Sequence, residues 1–348
     1  MNRDKIDHII SEFGLPKFRR DQLLNAFYTQ NVSSYDDIST LGKGLREDIS
    51  KAVPLMTMTE DTIQRASDKR SYKALLRLSD GQAVETVLIQ TKKGLWTTCI
   101  SSQVGCNVRC SMCATGKLGL LRNLTAEEIS DQVLFWYQMA AAGSVPAPPS
   151  NVVYMGMGEP FFNMVNLFGS LEELMSPETL NIGSRHISVS TCGVLAGFNS
   201  FVERFPQVNL SISLHAANDE LRNVLVPVNK KWPLKALSDA VKHYFEATNR
   251  KIFFEYVVLD GVNNRAQDFE ELSRFFKGIG KRHLIHVNLI PYNDTDSDYR
   301  SAPKNKMREF KDALNNAGYT TTIRRSLGNE IQAACGQLAG EDKARPVG

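Results

Sequence analysis

The stretch Cys99–Gly116, CISSQVGCNVRCSMCATG, carries four of the chain's six cysteines within fifteen residues. Three of them, Cys106, Cys110 and Cys113, are spaced C-x3-C-x2-C. Loops of three and two residues bring three thiolates to one face of a cubic iron-sulfur cluster. A fourth close ligand is missing, whereas ferredoxins complete a four-iron cluster with another cysteine and structural zinc sites also close with four ligands. Three ligands leave one iron open to a substrate. The alternative is a three-cysteine zinc site completed by a distant His, although no His lies between Gly116 and His186.

Around this loop the composition is that of an ordinary globular protein, with 42% hydrophobic and 23% charged residues in 348. The start, MNRDKIDHIISEFG, has neither the apolar core nor the cleavage site of a signal peptide. No apolar run approaches the ~18 residues of a membrane span. A cytoplasmic protein without membrane contact is therefore expected, and in that compartment thiols stay reduced, so clustered cysteines read as metal ligands or catalysts. The net charge of +3 does not announce a nucleic-acid binder. Local basic groups (Lys17 to Arg20, Lys69 to Lys73, Lys92 with Lys93, Lys230 with Lys231, Arg324 with Arg325) read first as solvated faces and second as a phosphate-contacting surface.

From about residue 95 onward, β-branched runs alternate with amphipathic ones, the pattern of repeated βα units in a parallel barrel or partial barrel. The strand candidates are LWTTCISS, NVVYMG, HISVST, QVNLSISLH, KIFFEYVVL, HVNLIP and YTTTIRRS. Helical patterns cover Thr125 to Ala142, Met164 to Met175, Leu221 to Thr248 with a break near Pro227 to Pro233, Ala266 to Ile279, and Lys304 to Ala317. Thr125 with Glu128 forms a capping box for the first of these. The first ninety residues read as short helices followed by strands around the Asp80-Gly81 turn.

In parallel βα barrels the functional groups collect beyond the C-terminal ends of the strands. Here the strands lead into Gly156-Met157-Gly158-Glu159-Pro160, Thr191-Cys192-Gly193, His215, and Pro291-Tyr292-Asn293. The glycine pair is not a dinucleotide fingerprint, because Phe161 stands where that motif needs Gly. It reads as flat backbone for close ligand approach, with the carboxylate of Glu159 just after it. Cys192 is read as structural.

The three-cysteine spacing resembles the signature of radical S-adenosylmethionine (SAM) enzymes. Together with SSQVGC, CATG, RNLT, GMGEP, SLHAANDELR, VPVNKK, EYVVLDGVN, NLIPYN and AACGQLAG, the chain is identified as a member of the RlmN/Cfr family of ribosomal-RNA methyltransferases, from about Gly14 to Gly340. The resemblance implies an α/β fold, a partial (βα)6 TIM-like radical SAM barrel with a small helical N-terminal accessory domain. Its divisions would be residues 1–60, helical and helix-hairpin-helix-like, 61–94, a β extension, 95–340, the barrel, and 341–348, a tail.

The resemblance also implies roles. Cys106, Cys110 and Cys113 would hold a 4Fe-4S cluster. Gly158, Glu159, Ser190, Ser213, Leu214, His215 and Asn293 would contact SAM, two molecules of which are used per turnover. Cys335 would be the methyl-carrying cysteine, Cys99 its transient disulfide partner and Glu85 the proton acceptor. The implied reaction methylates C2 of an adenine, position 2503 of 23S ribosomal RNA and also adenine 37 of transfer RNA. Because C2 lacks a nucleophilic lone pair, a radical formed on the Cys335 S-methyl group adds to the ring and joins enzyme to RNA covalently. The implied partners are these RNAs and an electron donor such as flavodoxin or ferredoxin, and the implied state is monomeric. The rivals are Cfr-like methylation of C8, a radical enzyme acting on a peptide or small molecule, and an iron-sulfur electron carrier or regulatory binder. GMGEP favours C2, while ATGKLGLLRNLT and EISDQVL lean toward C8.

Overall fold

The β-branched runs after Leu95 become seven parallel strands in a computed structural model, which describes residues 1–295 and 297–339. Ahead of them stand helices α1 (Arg3–Glu12), α2 (Phe18–Tyr28) and α3 (Lys43–Ala52) and strands β1 (Met58–Arg65), β2 (Ser71–Leu78) and β3 (Ala83–Lys92). The barrel opens with β4 (Leu95–Cys99), the short ribbon β5 (Gln103–Gly105) and β6 (Leu120–Asn123) enclosing α4 (Ala114–Leu118), and then α5 (Ala126–Ala141). It continues as β7 (Asn151–Tyr154), α6 (Met164–Met175), β8 (Ile187–Thr191), α7 (Phe198–Arg204), β9 (Asn209–Ser213), α8 (Asp219–Leu225) and α9 (Leu234–Thr248). It ends with β10 (Ile252–Val258), α10 (Ala266–Ile279), β11 (Ile285–Pro291), α11 (Lys304–Asn316) and β12 (Thr320–Ile323). Six βα units are thus followed by a seventh strand. No helix of the described residues is long and apolar enough to cross a membrane.

One ten-stranded sheet runs β1-β2-β3-β4-β7-β8-β9-β10-β11-β12. The pairs up to β3–β4 are antiparallel, and all pairs from β4–β7 onward are parallel. Strand β4 is the hinge between these two halves, so Cys99 at its end faces both the extension and the barrel rim. Apolar side chains such as Trp136, Tyr154, Phe161 and Phe254, each at most 1% exposed, fill the space between sheet and helices. Burial of a side chain of that size contributes roughly 1.5–3 kcal/mol. A separate cluster (Ile6, Ile9, Leu23, Phe27, Tyr35, Ile49) unites the first three helices and reaches α5 through Leu134.

Helix α5 starts as expected, with both halves of the Thr125–Glu128 capping box formed. The expected Leu221 to Thr248 segment divides into α8 and α9 around Pro227 and Pro233, which have no N–H to continue a helical ladder. The elements α1, β1, β5, α4, β6 and α7 were not anticipated. Strand β1 begins at Met58, ahead of the expected start of the extension at residue 61. The expected tail, 341–348, lies outside the described residues.

Candidate active site

The cysteine loop is held at both ends by backbone. Gly105 adopts φ +76°, and a Cβ there would stand 1.8 Å from the Gly119 carbonyl oxygen, to which Cys106 N–H donates at 2.8 Å. The loop then docks on a distant part of the chain. Ala114 N–H donates to the Gly336 carbonyl (2.8 Å), Thr115 Oγ1 to the Leu338 carbonyl (2.6 Å), and Thr295 Oγ1 to the Met112 carbonyl (3.1 Å). Cys106, Cys110 and Cys113 therefore line one end of a cavity of about 250 Å³ whose other end includes Cys99 and Cys335. Burial pushes the Cys106 and Cys113 thiols up, the expected state of a protonated thiol in apolar surroundings.

Cys192, read as structural, also lines the cavity beside the cysteine loop. Its Sγ lies 3.9 Å from Cys110 Sγ. The contact with Cys110 and burial hold its thiol well above the ordinary range.

The glycines of the GMGEP stretch line the cavity, and close packing behind them also requires the missing Cβ. Gly158 has φ +99°, and a Cβ there would meet Gln103 Cβ at 2.6 Å, while one on Gly156 would meet the Ile100 carbonyl oxygen at 2.7 Å. Both glycines let the β7 rim close on the chain leaving β4. Glu159 is 2% exposed, and its carboxylate accepts from the backbone N–H groups of Phe161 (3.0 Å) and Cys192 (2.7 Å). Burial raises its pKa against the pull of these donors. Its first task is to fix the loop after β8.

The remaining SAM candidates divide. Ser190 and Ser213 line the cavity with their hydroxyl oxygens 3.3 Å apart. His215 sits at φ +61°, its Nδ1 accepting from Val257 N–H at 3.1 Å. Burial lowers its pKa to about 3, so the ring is neutral and its proton is on Nε2. Leu214 is not in the lining; its side chain is in the core, its N–H donates to the Glu255 carbonyl, and its carbonyl accepts from Arg222. Asn293 donates through Nδ2 to the Cys335 carbonyl (3.1 Å), leaving a buried Oδ1 without a partner among the described residues. A buried acceptor left open costs on the order of 1–3 kcal/mol, so this atom points to a donor-bearing occupant of the cavity.

At the far end, Cys99 and Cys335 meet around a residue first read as part of a surface patch. Arg324 acts on both thiols, and Cys335 in turn raises Cys99. Burial, with that contribution, pushes the Cys99 thiol up to about 12. The Arg324 guanidinium is anchored by Glu255 (3.3 Å), which also accepts from Asn288 (2.9 Å). A lone carboxylate in the apolar strand KIFFEYVVL was the available signal for this anchor. Lys73 also turns inward and pairs with Glu85, whereas Arg20 pairs at the surface with Asp7 and Glu178. Glu85 is 2% exposed and outside the cavity lining. Its Oε1 is 2.7 Å from Lys73 Nζ, and its Oε2 accepts from Ala339 N–H at 2.7 Å. It is therefore a buried, ion-paired carboxylate that bonds the segment just after Cys335.

Among the described residues no three His, Cys, Asp or Glu side chains converge on a single ion, so the zinc reading finds no closed ligand set. Three thiols spread over one wall, an open acceptor at Asn293 and a pocket between them fit a multi-iron cluster with a bound small molecule. With strands ending in such a wall, fold and site define a radical SAM enzyme. The model of the Radical SAM superfamily matches residues 100–276. A solved radical SAM methyltransferase from Sphaerobacter thermophilus superposes with a TM-score of 0.92 at 38% identity, covering 98% of each chain.

The likeness extends to a particular family. The probable dual-specificity RNA methyltransferase RlmN of Desulforamulus reducens is 39% identical over 97% of this chain and 94% of its own. Its counterparts in Caldicellulosiruptor saccharolyticus (39%, 96% and 94%) and Bacillus thuringiensis (40%, 96% and 90%) are similar to the same extent. The chain belongs to the RlmN family of radical SAM methyltransferases, and its cofactors are a 4Fe-4S cluster and S-adenosylmethionine.

Proposed function

We propose that this protein methylates C2 of an adenine in 23S ribosomal RNA, at position 2503, and adenine 37 of transfer RNA, through an S-methylated Cys335 and a covalent RNA–enzyme adduct. The observation that carries the reading is the meeting of Cys99 and Cys335 around Arg324 in the same cavity as Cys106, Cys110 and Cys113. A ribosomal-RNA substrate accords with the names of the relatives, which are RNA methyltransferases. Cys106, Cys110 and Cys113 would hold the cluster, which with SAM supplies one-electron chemistry at a methyl group.

The rest falls to side chains of this chain. Ser190, Ser213, His215 and Asn293 bind SAM, with Asn293 Oδ1 accepting from it. Glu159 and the 158 backbone position the loop after β8, and Leu214 holds Ser213 and His215 in place. Cys335 carries the methyl group and becomes bonded through it to C2. Glu85 takes the C2 proton once the segment above it shifts and frees its carboxylate from Ala339, and the one electron that radical addition leaves on the ring would be given back to the cluster. The Cys99 thiolate then attacks the Cys335 sulfur. An S–S bond forms, the S–CH2 bond breaks, and its electron pair passes to the carbon, which takes a proton to complete the methyl group. The two thiols are oxidised as the methylene is reduced, and cytosolic dithiols reopen the disulfide. The donor of the initiating electron is a flavodoxin or ferredoxin, and the protein works as a monomer.

Mass spectrometry of ribosomal RNA from cells lacking the gene tests the reading. Loss of 2-methyladenosine is expected. Loss of 8-methyladenosine alone would replace it with the C8 reaction, and an unaltered RNA with unmethylated Cys335 would favour an electron carrier.

A further inference from the structure

Arg222, on α8, is fully buried, at 0% exposure. Its Nε donates to the Leu214 carbonyl (3.1 Å), Nη1 to Asn229 Oδ1 (2.6 Å), and Nη2 to the carbonyls of Cys192 (2.7 Å) and Ser213 (3.4 Å). All of these acceptors are uncharged. A guanidinium keeps its proton in proteins, and an isolated buried charge is costly unless a counter-charge lies nearby. Beside it, past the Cys192 carbonyl that Nη2 meets, lie the Cys192 and Cys110 sulfurs, 3.9 Å apart, which act on it ahead of Asp219 and become anionic only when they lose their protons.

The helix that carries Arg222 is also fastened beneath the cysteine loop. Ser111 N–H donates to the Leu225 carbonyl at 3.1 Å, and Leu225 and Val226 share an apolar cluster with Cys106, Val108 and Met112. The cation is therefore buried against the Cys192 backbone and outside the cavity lining, where water does not screen it. Three thiolates make an assembled cluster anionic, and the electron that reduces it adds a further negative charge. A fixed cation in a low-dielectric wall stabilises the reduced form more than the oxidised one.

Resting on the assignment of Cys106, Cys110 and Cys113 as cluster ligands, we propose that Arg222 is the buried counter-cation of the iron-sulfur cluster and sets how readily it accepts its electron. It acts through the Cys110 and Cys192 sulfurs as a positioning and tuning residue, without touching substrate.

The test is an anaerobic redox titration of the full chain reconstituted with iron and sulfide, without SAM, followed by electron paramagnetic resonance. Arg222→Gln is expected to make reduction at least about tenfold less favourable, a midpoint about 59 mV more negative for one electron. Arg222→Lys should stay close to the parent protein. Asp219→Asn, at an exposed position, keeps an amide oxygen for Asn229 and Leu234 and removes the competing charge, so its midpoint should move the other way. A role limited to holding the β8 loop would lower cluster yield and leave the midpoints unmoved. An unmoved midpoint in Arg222→Gln overturns the proposal. If that variant assembles no cluster, an Asp219→Asn midpoint unchanged or more negative overturns it instead. Failure of the parent protein to form a four-iron cluster would strike the ligand assignment and not Arg222 alone.

Discussion

At one end of the cavity three thiols come from eight successive residues, Cys106 to Cys113; at the other, Cys99 from β4 meets Cys335 from the end of the described chain. The near end is built from local spacing and tight backbone, with Gly105 against Gly119 and the loop latched to Gly336 and Leu338. The far end is built from tertiary packing around one cation, Arg324, which Glu255 anchors. In the proposed function, sulfur at the near end is ligand and sulfur at the far end is nucleophile. Burial raises the thiols of Cys106, Cys113 and Cys99, and each end has a guanidinium that pulls toward the thiolate, Arg222 acting on Cys192 at the near end and Arg324 on Cys99 and Cys335 at the far end.

The sharpest way to break this division is to remove one thiol from each end. Cys110→Ala should lose its cluster iron and lower RNA methylation by at least about 10³-fold, beyond the 10–100-fold typical of changes outside the ligand set. Cys335→Ala should lose methylation as completely yet keep its iron, and iron analysis beside an activity assay separates the two. Retention of a full cluster in Cys110→Ala would merge the two ends into one.

A second prediction concerns the backbone of the near end. Gly105→Ala places a Cβ where the Gly119 oxygen stands, in a left-handed conformation. A destabilisation of about 2–3 kcal/mol is expected, read as a lowered urea midpoint with diminished cluster content. The far-end thiols should remain as accessible to alkylation as before.

A third sharpens the far end. With its folded pKa near 12, Cys99 is a thiol at neutral pH, and its thiolate fraction grows about tenfold per pH unit below that value. Single-turnover release of RNA from the enzyme should accelerate with rising pH, and Arg324→Gln should slow it at every pH below 12. A flat profile would mean that Cys99 is not the attacking group.

The smallest effect belongs to His215. Its folded pKa of about 3 lies below the ordinary 6.5, so between these values the unfolded chain binds a proton that the folded chain refuses. Stability is full above pH 6.5 and declines as pH falls toward 3. The slope is roughly 1.4 kcal/mol per unit, and it should be absent in His215→Asn when thermal unfolding is compared at pH 7 and 5.5.

The near end was legible in the sequence because its meaning is local. The triad, the capping box of Thr125 with Glu128, and the seven β-branched runs all declare themselves within a few residues. Elements whose reason is tertiary did not. Strand β1, MTEDTIQR, is polar and pairs on one side only, with a register shift between Glu60 and Thr62. Helix α7 is seven residues long and begins after Gly197 in a left-handed conformation, too short for a period to show. Arg324 and Lys73 read as surface charge because nothing nearby reveals Glu255 or Glu85 as partners. The crowding behind the glycines of GMGEP was hidden for the same reason, since Ile100 and Gln103 approach them from another part of the chain.

The two-ended account stands most directly on Cys99→Ala. Expressed with its cluster and run on a denaturing gel, this variant should carry covalently bound RNA through Cys335, and the band should collapse on ribonuclease treatment. A Cys99→Ala protein that is free of RNA and still releases methylated product would contradict it.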